Sequence, residues 1–337
     1  MTKPKLTIRD VAIKAGVAVS SVSRVLNNHP SASESMIRRV QGAVTELDFR
    51  PNPAAKSLRT GTSRIIGLVV RDLSNSFYTE MMKGMEEVLH KSGYSLLVMN
   101  SDIDSDSDLS KLAGLASIHV DAIFLATSTD KSEEKIKAIS KFKGFVVILD
   151  RDFANLPVGT VLSDHANGVY LATKDLIELG HRNIALIAGT TEIRPTRERC
   201  RGFLDALKES SISNESNTPI TGIASTSLAR AATKKLMNLP EENRPTAIIS
   251  GGIDVTMGAL ECLTEMGLTP GKDISFIACD DLPWLQIMRP RISTVSRDYK
   301  NFGSTAANLM ISMLTGQKSE TILLPTIYES RDTSQVV

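Results

Sequence analysis

The chain has 337 residues, of which 42% are hydrophobic, and 39 Lys and Arg stand against 38 Asp and Glu for a net charge of +1. No apolar run approaches transmembrane length and the N-terminal Met-Thr-Lys-Pro-Lys has no apolar signal core, which speaks against membrane and exported proteins. Cys200, Cys262 and Cys279 are odd in number and far apart, so a reduced cytoplasmic protein of two or three domains is expected, without a disulfide framework or a cysteine metal site. The charge is uneven. Residues 1–60 hold ten basic against four acidic side chains, a balance of +6, and the remainder balances to −5. A cationic head on a mildly acidic body fits a polyanion-binding domain attached to a ligand-binding one.

In chain order, Ile8, Val11, Ala12 and Ala15 recur at the spacing of one buried helix face. Thr7 is placed to N-cap this helix, with Asp10 in the capping-box position. Gly16 stops it in a tight turn. A second helix begins at about Val19, with Val22 and either Val25 or Leu26 inward. Two short helices joined by a glycine turn describe a helix-turn-helix, whose second helix can enter a DNA major groove. Ser20, Ser21, Ser23 and Arg24 are small or cationic and let its outer face approach base edges and phosphates. A surface hairpin without function is the competing reading. Ser33 then caps a third helix with Ile37, Val40, Val44 and Leu47 inward, closing a small core. Asn52 as N-cap, Pro53, Ala54 and Ala55 start another helix that Gly61 ends. It is too short to be stable alone in water and should fold on a partner.

Past Thr62, short β-rich runs alternate with helical ones. Ile65–Val70, 94–99, 122–125 and Phe145–Leu149 predict buried parallel strands, with helices near 77–92, 106–118 and 132–141. A second series runs through 184–188, Ala247–Ser250 and 274–278, with helices near 165–180, 197–210, 227–238 and 254–266. Two such sets predict two doubly wound lobes with a ligand cleft at the carboxyl ends of their strands. The aspartates of 102–108 fail the calcium-loop pattern, because Ser107 and Ala113 stand where Gly and Glu are needed. No phosphate-binding glycine loop, nucleophile elbow or paired-histidine signature occurs, so neither enzyme activity nor a cofactor or metal is expected.

Thr-Ile-Arg-Asp-Val-Ala, Val-Ser-Arg-Val-Leu-Asn, Arg-Pro-Asn-Pro-Ala-Ala-Lys-Ser-Leu-Arg-Thr-Gly, Ser-Asn-Ser-Phe-Tyr, Leu-Ile-Glu-Leu-Gly-His-Arg, Arg-Glu-Arg-Cys-Arg-Gly-Phe and Cys-Asp-Asp follow one another in that order. With these motifs the sequence resembles a full-length member of the LacI/GalR family of bacterial transcription regulators. The resemblance implies an all-α helix-turn-helix head (1–50), a hinge helix (51–61), and a two-lobed α/β core like periplasmic binding proteins (62–337). Chain crossings are expected near 162, 291 and 322, giving a first lobe of 62–162 plus 292–322 and a second of 163–291. It implies a homodimeric repressor of a palindromic operator, controlled by a carbohydrate-like effector between the lobes. A solute-binding protein and a purine-type, corepressor-dependent regulator are the alternatives.

Under this resemblance Thr7, Val19, Ser20, Ser21, Ser23, Arg24 and Asn27 belong to the DNA-reading head, with Val19 and Ser20 at base edges. For Val19, packing against Val22 competes. Asn52, Ala55, Leu58 and Arg59 belong to the hinge helix, with Leu58 the wedge between base pairs. Lys3, Lys5, Arg9, Lys14, Arg38 and Arg39 are further candidates for phosphates. Ala18 stands where the family usually has a capping Ser or Thr, which should weaken that helix start. The effector is assigned to Asn75, Tyr78, Asp150, Arg151, Arg199, Trp284 and Asp280. Arg194, Arg197, Arg199 and Arg201 cluster there and favour a sugar acid or phosphorylated sugar over a neutral one. Asp164-His165 and Gly252-Ile253 depart from the family's usual Asp-Asn and Asn-Asp and leave the ligand open. The stripe Phe77, Met81, Met85, Val88 and Leu89 is placed at the dimer interface.

Overall fold

A computed structural model of the chain describes residues 6–26, 29–50, 61–102, 105–153, 156–212, 217–223 and 225–337. Asn27, Asn52, Ala55, Leu58 and Arg59, with the expected hinge helix, lie outside the described residues. The chain forms two compact units, Met1–Ser63 and Arg64–Val337.

In the first unit, α1 (Ile8–Ala15), α2 (Val19–Leu26) and α3 (Glu34–Glu46) surround Val11, Val22 and Val40, all 0% exposed. Burying each of these contributes roughly 1.5–3 kcal/mol. Asp10 Oδ2 accepts both the backbone N–H and the hydroxyl of Thr7 at 2.7 Å. Gly16 takes the left-handed conformation (φ 61°) that turns the chain out of α1. Arg39 fixes that turn, donating from Nε to Ala15 O at 3.0 Å and from Nη2 to Gly16 O at 2.6 Å. Arg39 is therefore a brace between helices, while its side chain remains exposed. Lys14 pairs with Glu46 at 2.7 Å.

The second unit holds two six-stranded sheets. The first orders β11 (Thr321–Leu324), β5 (Gly159–Ser163), β4 (Phe145–Leu149), β3 (Ala122–Ala126), β1 (Ile65–Val70) and β2 (Ser95–Asn100), all parallel. The second orders β12 (Ile327–Glu329), β10 (Ser293–Ser296), β9 (Ser275–Cys279), β8 (Ala247–Ser250), β6 (Ile184–Gly189) and β7 (Ile220–Thr221), parallel except for β12 against β10. Helices cover both faces of each sheet, as buried parallel strands require.

The chain passes between lobes after β5, after β10 and after β11. The crossing expected near 291 thus falls beyond Ser296, because Ser293–Ser296 pairs with β9 and extends the second sheet. The tail also belongs to the second lobe. Phe276 N donates to Thr333 O at 2.9 Å and the Thr333 hydroxyl donates to Phe276 O at 2.6 Å.

Phe77, Met81, Met85 and Leu89 lie inside the first lobe, between 0% and 5% exposed. Their helix, Ser76–Lys91, packs on Tyr299–Leu314 through two glycines: a Cβ on Gly84 would sit 2.0 Å from Lys300 O, and one on Gly303 1.9 Å from Met81 O. The expected dimer stripe is therefore core. Only Val88 of the five keeps partial exposure. The periodicity identified a buried face, but the element that buries it comes from the same chain.

Candidate functional site

On the head, Val19 is 41% exposed while Val22 is fully buried, so α2 directs Val19 outward. Thr7, Ser20 and Arg24 are exposed as well, and Ser21 and Ser23 are half-buried. These side chains follow from the helical period: Val22 and Val25 face α1 and α3, leaving the intervening positions to solvent.

In the second unit a cleft opens at the carboxyl ends of β1, β4, β6, β8 and β9, where a doubly wound fold binds ligands. Of the seven residues expected there, Asn75, Tyr78, Asp150, Arg151, Arg199 and Asp280 line it. Trp284 does not. It sits on Pro283–Ile287, half-buried against the core of the second lobe, which corrects its assignment. Asn75 N-caps its helix by accepting from Phe77 N at 3.0 Å, so one of its polar atoms is already engaged.

Asp150 and Asp280 both take positive φ, 54° and 77°, directly after β4 and β9, a rare backbone conformation for non-glycine residues. Between them lies Arg297, which sequence reasoning missed. Its Nη1 donates to Asp150 Oδ2 and, at 3.1 Å, to Ser163 Oγ; its Nε donates to Asp280 Oδ1 at 3.3 Å. The guanidinium also lies 3.9 Å from the centre of the Phe77 ring. Asp150 accepts further from Ser163 N at 3.1 Å and from His165 Nε2 at 2.8 Å. Asp280 meets Arg199 Nη2 at 3.5 Å and the Tyr299 hydroxyl at 3.4 Å, while Arg199 Nη1 donates to Gly251 O at 2.8 Å.

Burial would raise both carboxyls, but their ion-pair and hydrogen-bond partners outweigh it. His165 and Arg297 hold Asp150 well below the usual carboxylate range, and Arg297 with Arg199 lowers Asp280. Burial, reinforced by Arg199 and Arg297, pushes His165 down to about 4 against the pull of Asp150. The imidazole is thus neutral at neutral pH, and its Nε2 carries the proton toward the ionised carboxylate.

The four-arginine cluster separates. Arg197 Nη1 lies 2.9 Å from Asp130 Oδ1, and Arg201 Nη2 lies 2.7 Å from Glu198 Oε2. Arg194 Nη1 donates to Ser163 O at 3.0 Å and Nη2 lies 3.6 Å from Glu198. Only Arg199 of the four lines the cleft, so the cluster itself gives no argument for an anionic ligand. Further charged lining residues outside the expected set are Arg71, Asp72, Asp254 and Arg297. Arg71 follows β1 as Asp150 follows β4, a strand-end position that could have indicated it. Among the described residues no cluster of His, Cys, Asp and Glu is suited to a metal ion, and no helix is long and apolar enough to cross a membrane.

Residues 7–52 match the family model described as bacterial regulatory proteins, lacI family, and residues 63–331 match that of periplasmic binding proteins and sugar binding domain of LacI family. The chain is 30% identical over 315 residues to the HTH-type transcriptional repressor PurR of Aliivibrio fischeri, spanning 93% of each. It is 28% identical over 334 residues to catabolite control protein A of Priestia megaterium, spanning 98% of this chain and 99% of that one. The crystal structure of the lac repressor dimer bound to operator and the anti-inducer ONPF matches with a TM-score of 0.86 at 25% identity, over 98% of this chain and 100% of that one.

Proposed function

The chain belongs to the LacI family of bacterial transcription regulators, and on that premise we propose that it is a cytoplasmic homodimeric repressor of a palindromic operator. A carbohydrate-like effector in the interlobe cleft sets its operator affinity. The observation carrying this reading is the presence, in one chain, of a three-helix head with Val19, Ser20 and Arg24 turned outward and a cleft that ends in charged side chains from both lobes. A helix-turn-helix reads a half-site of a few base pairs, so two heads on a two-fold axis supply the specificity one lacks. The work of such a protein is binding rather than catalysis.

Two relatives' names support the repressor and control reading. The lac repressor matched above was crystallised as a dimer on operator with a small anti-inducer, and the Aliivibrio fischeri relative is named a transcriptional repressor. Selection of duplexes from a randomised pool by the purified chain, with sedimentation to establish its oligomeric state, tests the proposal. A dimer enriching one inverted repeat is the expected result. A monomer with no sequence preference refutes it.

A further inference from the structure

Asp150 and Asp280, the acids placed to accept from an effector's hydroxyls, are already bonded to Arg297, His165 and Arg199. The cleft's other charges are disposed unevenly. Arg71, Asp72 and Arg151 lie on the first-lobe wall, following β1 and β4, with two cations to one acid, and Asp254 lies on the second-lobe wall at the start of helix Ile253–Glu265. Arg151 is 4% exposed, yet among the described residues its Nε donates only to Thr127 O at 2.7 Å and its Nη1 only to Asp150 O at 2.9 Å. Both acceptors are neutral carbonyls. Among the described residues neither Arg71 nor Arg151 forms an ion pair with a carboxylate.

We propose that Arg71 and Arg151 form an anion subsite of this cleft, and that the effector is a small polyhydroxylated molecule carrying a carboxylate or phosphate group. This rests on the reading of the cleft as an effector site. A buried guanidinium without an acid partner is costly, and a second guanidinium lining the same cleft adds to that cost. Burial lowers the Arg151 pKa and the like charge of Arg71 lowers it further, against Tyr78, Asp150 and Asp130. An oxyanion with several acceptor oxygens relieves both demands through charge-assisted bonds. Asp254 supplies the complementary end. Burial, then the Asp72 charge, raises its carboxyl against the pull of Arg71, and it forms no ion pair among the described residues. It can accept from an effector hydroxyl. Asp72 is held by Ser74, whose N–H and hydroxyl donate to Asp72 Oδ1 at 2.9 and 2.7 Å.

The test is calorimetric titration of the full chain with matched neutral and anionic ligands: glucose, gluconate and glucose 6-phosphate, and ribose with ribose 5-phosphate. At least one anionic member should bind about tenfold or more tightly than its neutral parent. Arg71→Gln should remove that preference with an unfolding midpoint no lower than the parent's, since Arg71 makes no ion pair among the described residues. Arg151→Lys should keep part of the preference and Arg151→Gln none. If Arg151→Gln does not fold, Arg71→Gln decides alone. Equal binding of a neutral parent, undiminished anion binding by Arg71→Gln, or no binding of any anionic member up to about 10 mM would each overturn the subsite. Operator affinity read alongside separates the two proposals. A neutral sugar that binds and alters operator affinity ends the anion subsite and leaves the regulator, whereas an anion that binds without altering operator affinity ends its role as effector and leaves the subsite.

Discussion

Arg297, on the segment leaving the second sheet, is bonded to Asp150, which directly follows β4 of the first. The same guanidinium holds Asp280 of the second lobe, so one cation joins the strand ends on which both walls of the cleft depend. All three side chains are 10% exposed or less. Arg297 therefore acts as an internal occupant of the acceptor positions, and its removal leaves two buried carboxylates with fewer partners.

Replacing Arg297 with Met should cost about 3–5 kcal/mol, the usual penalty for stranding buried charge. Urea denaturation of the variant beside the parent chain measures it. An unchanged midpoint would mean that Asp150 and Asp280 are adequately held by His165, Arg199 and the backbone alone.

His165 gives the fold a pH dependence with a definite sign. Its pKa is about 4 in the folded chain against 6.5 ordinarily, so between those values the unfolded chain binds the proton and the folded one does not. Stability therefore falls as pH drops from about 6.5 to about 4, by roughly 1.4 kcal/mol per pKa unit of difference. Depressed carboxylates such as Asp150 and Asp280 lose their contribution at lower pH, on descent through and below the carboxylate range. His165→Asn, which still offers a donor to Asp150, should flatten the upper part of the profile in thermal unfolding. A variant with the parent's slope between pH 6.5 and 4 would remove His165 from the account.

Gly303→Ala should destabilise the first lobe by about 1–3 kcal/mol, because its Cβ would lie 1.9 Å from the Met81 carbonyl oxygen. Chemical unfolding reads the loss. Gly316→Ala makes a poor control because of its φ of 97°, whereas Gly42, in helix Glu34–Glu46 with nothing near its Cβ position, should tolerate Ala.

Much of this fold was legible from the pattern of apolar residues. Ile65–Val70, Phe145–Leu149 and Ala247–Ser250 are strands with the expected bounds, since each is a short apolar run buried on both faces. β10 was not, because Ser293, Thr294 and Ser296 give it no apolar run. Ser293 is nonetheless 0% exposed and accepts from Arg331 N at 2.9 Å, a partner 38 residues away. Missing that strand misplaced a crossing and hid Arg297 at its end. Asp150, Arg199 and Asp280 were legible as cleft residues, but what each is bonded to depends on side chains distant in sequence. The Phe77 to Leu89 stripe shows the complementary limit: spacing reveals that a face is buried without identifying the helix that buries it.

Arg24 is exposed and outside the head's core, so Arg24→Ala should leave unfolding unchanged while weakening DNA binding. If it neutralises one phosphate, the slope of log affinity against log salt should become shallower by about 0.9 per head. An identical slope and affinity would take Arg24 off the DNA.

The most direct measurement is a reciprocal titration of full-length protein: operator affinity with and without saturating effector, and effector affinity with and without saturating operator. Linkage requires both ratios to be the same factor, ordinarily about 5–150. That equality, with a factor clearly different from one, is the predicted result. An operator affinity indifferent to a ligand that demonstrably occupies the cleft would contradict the account.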